Sequence, residues 1–240
     1  PLNLAKMNSL RVLIYCLSLV AYCNYNANSK KAYLPARELS TQLARPAEVH
    51  LYFNRMVNSK EYEKYKKLSF ATNSLRNHPA DLLRDENLET AWCYTGSGAA
   101  KASVYLMAQP MHVAARHFLN AEREFELTIV NGFAFSEEIY LANNRIKKGI
   151  LELFEARLGE SADAENILGS EPVLNGSWEI DFEDKQITQQ ARIVTKSKLL
   201  QATKYSEILL MARFTVIETF PGSRYTDTCI SELHFGAPLF

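Results

Sequence analysis

Glu124-Phe125-Glu126-Leu127-Thr128-Ile129-Val130-Asn131-Gly132 is written in the two-residue period of a half-buried strand. Phe125, Leu127 and Ile129 take one face, Glu124, Glu126 and Thr128 the other, and Asn131-Gly132 ends the run. Ala212, Phe214 and Val216 alternate in the same way with Arg213, Thr215 and Ile217. Asn175-Gly176 stands between Glu171-Pro172-Val173-Leu174 and Ser177-Trp178-Glu179-Ile180-Asp181-Phe182. It predicts a hairpin turn, because both residues tolerate the positive φ that a tight turn needs. From Leu68 onward strand signals dominate and long helical patterns are few. That combination predicts an all-β body, a sandwich or a barrel.

The chain has 240 residues, is 47% hydrophobic and 22% charged, and holds only 9 Gly and 8 Pro. A body of this size buries a full core without metal or disulfide staples. Lys+Arg and Asp+Glu both number 27, which removes the basic footprint of a nucleic-acid binder. The 12 Tyr and 12 Phe serve equally as core and as contacts for sugar or protein.

The N-terminus reads as a targeting segment. Met7 is the expected natural start, with Pro1 to Lys6 upstream of it. Arg11 supplies a positive charge, and Val12 to Cys23 is an uncharged apolar run. Such a run is shorter than the ~20 residues of a spanning helix but suits a signal peptide. Residues 1–23 are therefore expected to direct export. Leu19-Val20-Ala21-Tyr22-Cys23 resembles a bacterial lipoprotein box, with Tyr22 where the box carries a small residue. Lipidation of Cys23 and plain secretion both stay open. Removing Lys6 and Arg11 with this segment leaves the mature chain slightly acidic. Cys93 and Cys229 remain, far apart in sequence and in an oxidising compartment, either as a disulfide or as two buried thiols.

Residues 24–67 read as a polar tether before a domain spanning 68–240. Within the tether Val49, Tyr52, Phe53 and Met56 recur at helical spacing after Pro46, which suits a first turn. A short helix is predicted, although Val49, Leu51 and Phe53 also alternate as in a strand.

No nucleophile elbow, phosphate loop or His-Glu-x-x-His helix occurs. Gly96-Ser97-Gly98 lacks the flanks of either kind of glycine loop. His112 and His117, five apart, do not share a helix face. Glu137 and Glu138 are adjacent, and on a strand they would point to opposite faces. A glycosidase still needs only two carboxylates close in space, so a glycan-active enzyme stays open.

Three segments taken together resemble the NADase-type glycan-binding domain, a branch of the discoidin-like, galactose-binding-like jelly rolls. They are Asp85 to Cys93 (DENLETAWC), Asn131 to Lys148 (NGFAFSEEIYLANNRIKK) and Phe220 to Leu233 (FPGSRYTDTCISEL). The resemblance covers residues 68–240. It implies a jelly-roll β-sandwich with ligand loops at one end, and non-catalytic binding of glycans or glycoproteins. A host-surface or matrix protein taken by the same loop end is the alternative. In toxins such a domain accompanies a separate NAD-cleaving one, which these 240 residues are not expected to contain.

The resemblance also assigns residues. Sugars want an aromatic face for the C–H side of the ring and planar donors for the hydroxyls. Phe133, Phe135, Tyr140, Asn144 and Arg145 in the second segment, and Arg224 and Tyr225 in the third, are the candidates. Discoidin-like domains often read Asp-Gly-Asp-x-x-Thr-x-Trp. Here Glu86 replaces the glycine and Asn87 the second acid. Asp85, Asn87 and Thr90, with Glu232 brought beside them, imply either a structural Ca2+ site or a hydrogen-bonded turn without metal. Trp92 is expected in the core. The resemblance places Cys93 and Cys229 near the same end strands, which implies the disulfide.

Overall fold

A computed structural model describes residues 31–40, 42–58, 69–96, 102–114, 122–157, 171–199 and 207–236. The N-terminal elements are β1 (Lys31–Leu34), β2 (Ala36–Leu39), helix α1 (Pro46–Asn58) and β3 (Ser69–Ala71), followed by a 3-10 turn (Ala80–Arg84). Next come β4 (Trp92–Thr95), β5 (Ser103–Ala114), β6 (Arg123–Asn131), helix α2 (Glu137–Ala142) and β7 (Arg145–Arg157). The chain continues through β8 (Val173–Asp181), β9 (Thr188–Thr195), β10 (Glu207–Phe220) and β11 (Asp227–Gly236). The expected export segment and Cys23 lie outside the described residues, as do Ser97, Gly98 and His117.

The strands form two facing layers. One runs β1-β9-β6-β11 with β4 on β11, and the other runs β5-β10-β7-β8-β2 with β3 on β5. Among the described residues, parallel pairing of Gly236 with Gln109 and, just before β7, of Asn144 with Thr228 joins them. The alternation of β6 survives intact: Phe125, Leu127 and Ile129 are all buried. They meet Phe214, Leu151 and Leu153 of the other layer in one core, and Phe125 stacks on Phe235 with ring centroids 5.5 Å apart. Trp92 is fully buried, and its indole N–H donates to Ser74 Oγ at 2.8 Å.

Asn175-Gly176 is not a hairpin turn. Both residues lie inside β8, where the register with β7 skips from Leu153↔Gly176 to Phe154↔Leu174. Asn175 is the extra residue of a bulge; its amide donates to Lys196 O and accepts from Thr195 Oγ1. Gly176 is required by close approach, since a Cβ there would lie 2.3 Å from the Trp178 ring. A bulge and a turn need the same permissive residues, so the dipeptide alone does not separate them.

The described part of the predicted tether, residues 31–40 and 42–58, packs on the sandwich. β2 pairs with β8 at the edge of one layer and β1 with β9 at the edge of the other, so the Pro35 corner between them carries the chain across the open side of the sandwich. The helical spacing in α1 holds: Val49 and Phe53 are fully buried and Tyr52 nearly so. They cover the outward side chains Tyr105, Met107, Phe154, Ala156, Leu209 and Met211, and Tyr52 stacks on Tyr105 at 3.8 Å. The β10 run Ile208-Leu209-Leu210-Met211-Ala212 is apolar without alternation because both its faces are covered. Glu152, fully buried under the approach to the helix, accepts from the backbone N–H of Leu43 at 2.6 Å and from Arg213 Nη1 at 2.8 Å.

Candidate functional site

The end of the sandwich where β6 gives way to α2 is built on a buried brace. Gly132 has φ +75, and a Cβ there would lie 2.6 Å from the Tyr140 ring and 2.8 Å from Arg145 Cγ. Only glycine permits both the left-handed backbone and that approach. Ser136 caps α2 by accepting from the backbone N–H of Ile139. The adjacent acids Glu137 and Glu138 therefore start a helix rather than sit on a strand, and they favour its positive end.

Arg145, 5% exposed, sits beneath this loop. Its Nη2 pairs with Asp184 Oδ2 at 2.6 Å and its Nε donates to Asp184 Oδ1 at 3.0 Å. Nη1 donates to the carbonyls of Asn143 at 2.9 Å and Pro221 at 2.8 Å. The Tyr140 hydroxyl donates to Asp184 Oδ1 at 3.1 Å. Hydrogen bonding to Arg145 holds the Asp184 carboxyl below its ordinary range, and the same bonds raise the guanidinium. Burial pushes the Tyr140 phenol up. Asn144, also buried, accepts from the Gly222 N–H at 2.7 Å and donates to Thr226 O at 2.8 Å, which fixes the 221–226 turn. Gly222 is needed for that contact, since a Cβ would lie 2.4 Å from Ala142 O.

These positions correct the expectation that Tyr140, Asn144 and Arg145 face a ligand. Their polar groups are committed to Asp184 and to loop carbonyls, so they shape the loops from below. Sequence spacing does not reveal this, because Asp184 lies 39 residues beyond Arg145.

What the brace presents outward is apolar and aromatic. Phe135 is 53% exposed, Leu141 45% and Tyr225 44%. Phe133 is half-buried over Cys93 and Cys229, with Phe135 at 6.5 Å and the His78 ring edge-on at 5.7 Å. Gln186 donates to Ala134 O at 2.6 Å beside them. Arg224 is exposed and lies over the Tyr225 ring at 5.2 Å. Its turn is tied to α2 by the Tyr225 N–H bond to Ala142 O. His78 escapes sequence reasoning: it arrives from the loop before β4, and no local pattern marks it. Its Nδ1–H donates to Ala91 O at 3.0 Å.

Cys93 and Cys229 are directly opposite on β4 and β11 and form a disulfide with Cα atoms 4.1 Å apart. Both are buried.

Asp85, Asn87, Thr90 and Glu232 do come together. Glu86 holds φ +61, the conformation that a glycine would adopt freely. Asp85 Oδ1 and Glu232 Oε1 both accept the Asn87 N–H, at 3.0 and 2.9 Å. Thr90 Oγ1 lies 2.7 Å from Asp85 Oδ2 and 2.8 Å from Asn87 O, and Asn87 Oδ1 accepts the Glu89 N–H. Glu232 Oε2 is 2.8 Å from His234 Nε2. A calcium ion wants about six to eight oxygens turned toward one point. Here the two carboxylates converge on an N–H donor, and a fully buried arginine, Arg84, immediately precedes the turn. Among the described residues no group of three or more His, Cys, Asp and Glu is arranged to hold a metal. As the turn stands, its oxygens are spent on hydrogen bonds within it.

Fold and loop end together define a discoidin-like β-sandwich. Residues 57–236 match the family described as the NAD glycohydrolase translocation F5/8 type C domain, and the chain belongs to that family. No protein of curated function matches it. Among solved structures it is similar to a family 32 carbohydrate-binding module of Clostridium perfringens NanJ, in complex with galactose. That match has 16% identity and TM-score 0.36, and covers 69% of this chain and 90% of that one. It is similar to a module, CBM32-3, of a family 31 glycoside hydrolase from the same organism, at 12% identity and TM-score 0.39, over 75% and 99% of the two chains. A fucose binding module of Streptococcus pneumoniae, SpX-3, matches at 10% identity and TM-score 0.36, over 72% and 94%.

Proposed function

We propose that this chain is a non-catalytic carbohydrate-binding protein, exported to the cell surface or secreted, that takes glycans on Phe133, Phe135, His78, Arg224 and Tyr225. The observation that carries the reading is the pairing of exposed aromatic rings with a buried ionic brace. Tyr225 is left open on a turn pinned by Arg145 and Asn144, and Phe135 follows Ala134, whose backbone is held by Ser231 and Gln186. A flat ring held still offers its face to a sugar C–H surface at small entropic cost. Arg224 lies over the Tyr225 ring, and the His78 ring meets Phe133 edge-on.

A glycan array probed with the oxidised protein tests this. Phe135→Ala and Tyr225→Ala are expected to lose array signal while melting with the wild type. Each truncation at a shallow site should cost about 1–2 kcal/mol of binding. Normal binding by both variants would place the ligand elsewhere. One observation favours a protein partner at the same end: Leu141, exposed beside Ser223 on the same rim, offers an aliphatic contact with no use for a sugar hydroxyl. An array without specific signal, together with capture of a purified matrix protein that Leu141→Asp abolishes, would select that reading. Export and lipidation at Cys23 belong to the same proposal. Intact-mass measurement on material from the native host separates a lipidated chain beginning at Cys23 from a secreted one.

A further inference from the structure

We propose, resting on the glycan-binding reading above, that the loop end takes a run of consecutive sugar units laid along α2 rather than a single terminal sugar. Its two most exposed rings stand at opposite ends of that helix. Phe135 directly precedes Ser136, whose side chain caps the first turn. Tyr225 is tied to the other end, where its backbone N–H donates to Ala142 O at 2.8 Å. The N–H groups of Ser223 and Arg224 donate to Leu141 O at 2.9 Å and to Ala142 O at 3.1 Å, so the whole turn is held there. The six residues of α2 advance the chain about 9 Å between these two points. A pyranose ring is close to a phenyl ring in size, so one sugar covers one ring and leaves the other open.

Each end is built as a platform. At the first, Phe133 packs on the disulfide, the Phe135 ring lies 6.5 Å from it, and His78 stands edge-on to Phe133. At the second, the Arg224 guanidinium lies over the Tyr225 ring at 5.2 Å. Between them α2 buries Tyr140 and Ala142 and leaves Glu138 and Leu141 exposed. Three residues apart, these two share one helix face. A carboxylate accepts from sugar hydroxyls, and an aliphatic side chain covers C–H surface. The helix thus carries a ring at each end and a mixed contact in the middle, which a sugar chain fills unit by unit and a lone terminal sugar does not.

The test is a glycan array on which every chain is also printed as its own mono-, di- and trisaccharide on the same linker, titrated with the oxidised protein. Trisaccharides are expected to bind at least about tenfold more tightly than the monosaccharides that end them. Phe135→Ala and Tyr225→Ala should each weaken the trisaccharide about tenfold while melting with the wild type. Should either alanine variant melt early, leucine at the same position, which keeps bulk without a flat face, is read instead. A monosaccharide bound as tightly as its own trisaccharide would overturn the proposal and leave the glycan reading standing. So would a loss confined to one of the two ring variants. No signal at any chain length would instead overturn the glycan reading, and this proposal with it.

Discussion

Arg145 decides more about the loop end than any other residue. It ties its own stretch, Tyr140 to Asn143, to Asp184 and to the Pro221 carbonyl, three separate segments of the chain. Removing one partner of a buried pair costs about 3–5 kcal/mol. The Asp184 side chain is 35% exposed, and solvent screens its half of the pair, so Arg145→Ala is expected to cost nearer ~2 kcal/mol in urea unfolding. The folded pKa of Asp184 is depressed. Its stabilisation is therefore full above the ordinary carboxylate pKa of about 3.9 and is lost as pH falls through the lower, folded value. Asp184→Asn should flatten the acid limb of the stability profile in that window and leave the neutral slope alone. An unchanged acid limb would mean that the pair does not form in solution.

At the level of elements, α1 converts a two-layer sandwich into a three-layer one. Its apolar face fits outward side chains of β5, β7 and β10, which would otherwise present Tyr105, Phe154 and Met211 to water. The family match begins at residue 57, so β1, β2 and almost all of this helix stand outside it. Phe53, fully buried between helix and sheet, is the sensitive probe. Phe53→Ala is expected to destabilise the protein by about 3–5 kcal/mol in chemical denaturation. Exposed Leu51 on the same helix should tolerate alanine within ~0.5 kcal/mol. Equal small effects at both positions would show that the helix is not docked in solution. A protein trimmed to residues 68–240, the boundary read from sequence, is expected to aggregate because it uncovers this face.

For the molecule as a whole, the disulfide closes a loop of 136 residues, from β4 to the last strand. In the chain-entropy model a loop of this length is worth ~4–5 kcal/mol. Reduction under denaturing conditions followed by refolding should lower the melting temperature by several degrees, and thiol counting on the oxidised, denatured mature chain should find no free thiol at Cys93 or Cys229. Two titratable thiols there would refute the bridge. Because Phe133 rests on that disulfide, the reduced protein should also bind glycans more weakly than the oxidised one. The balanced charge means that whatever binding occurs should depend little on salt.

The amino-acid sequence by itself determined the strand character of β6 and β10, the helix after Pro46 and the core position of Trp92. Each of these depends on local periodicity or on a large apolar side chain, and both are visible within a few residues. It also carried the three segments by which the family is recognised. Tertiary structure alone decided what those segments do. Asn175-Gly176 became a bulge because Trp178 and Thr195 closed around it. The helix within the presumed tether became a covering layer because its partners lie on three strands far along the chain, although the unbroken apolar run Ile208 to Ala212 signals burial on both faces. Arg145 and Tyr140 turned inward because Asp184 waits there, whereas Phe135 and Tyr225 stay exposed. A residue's type states which partners it accepts. Whether it spends that capacity inside the protein or offers it to a ligand depends on which distant residues the fold brings within about 3 Å.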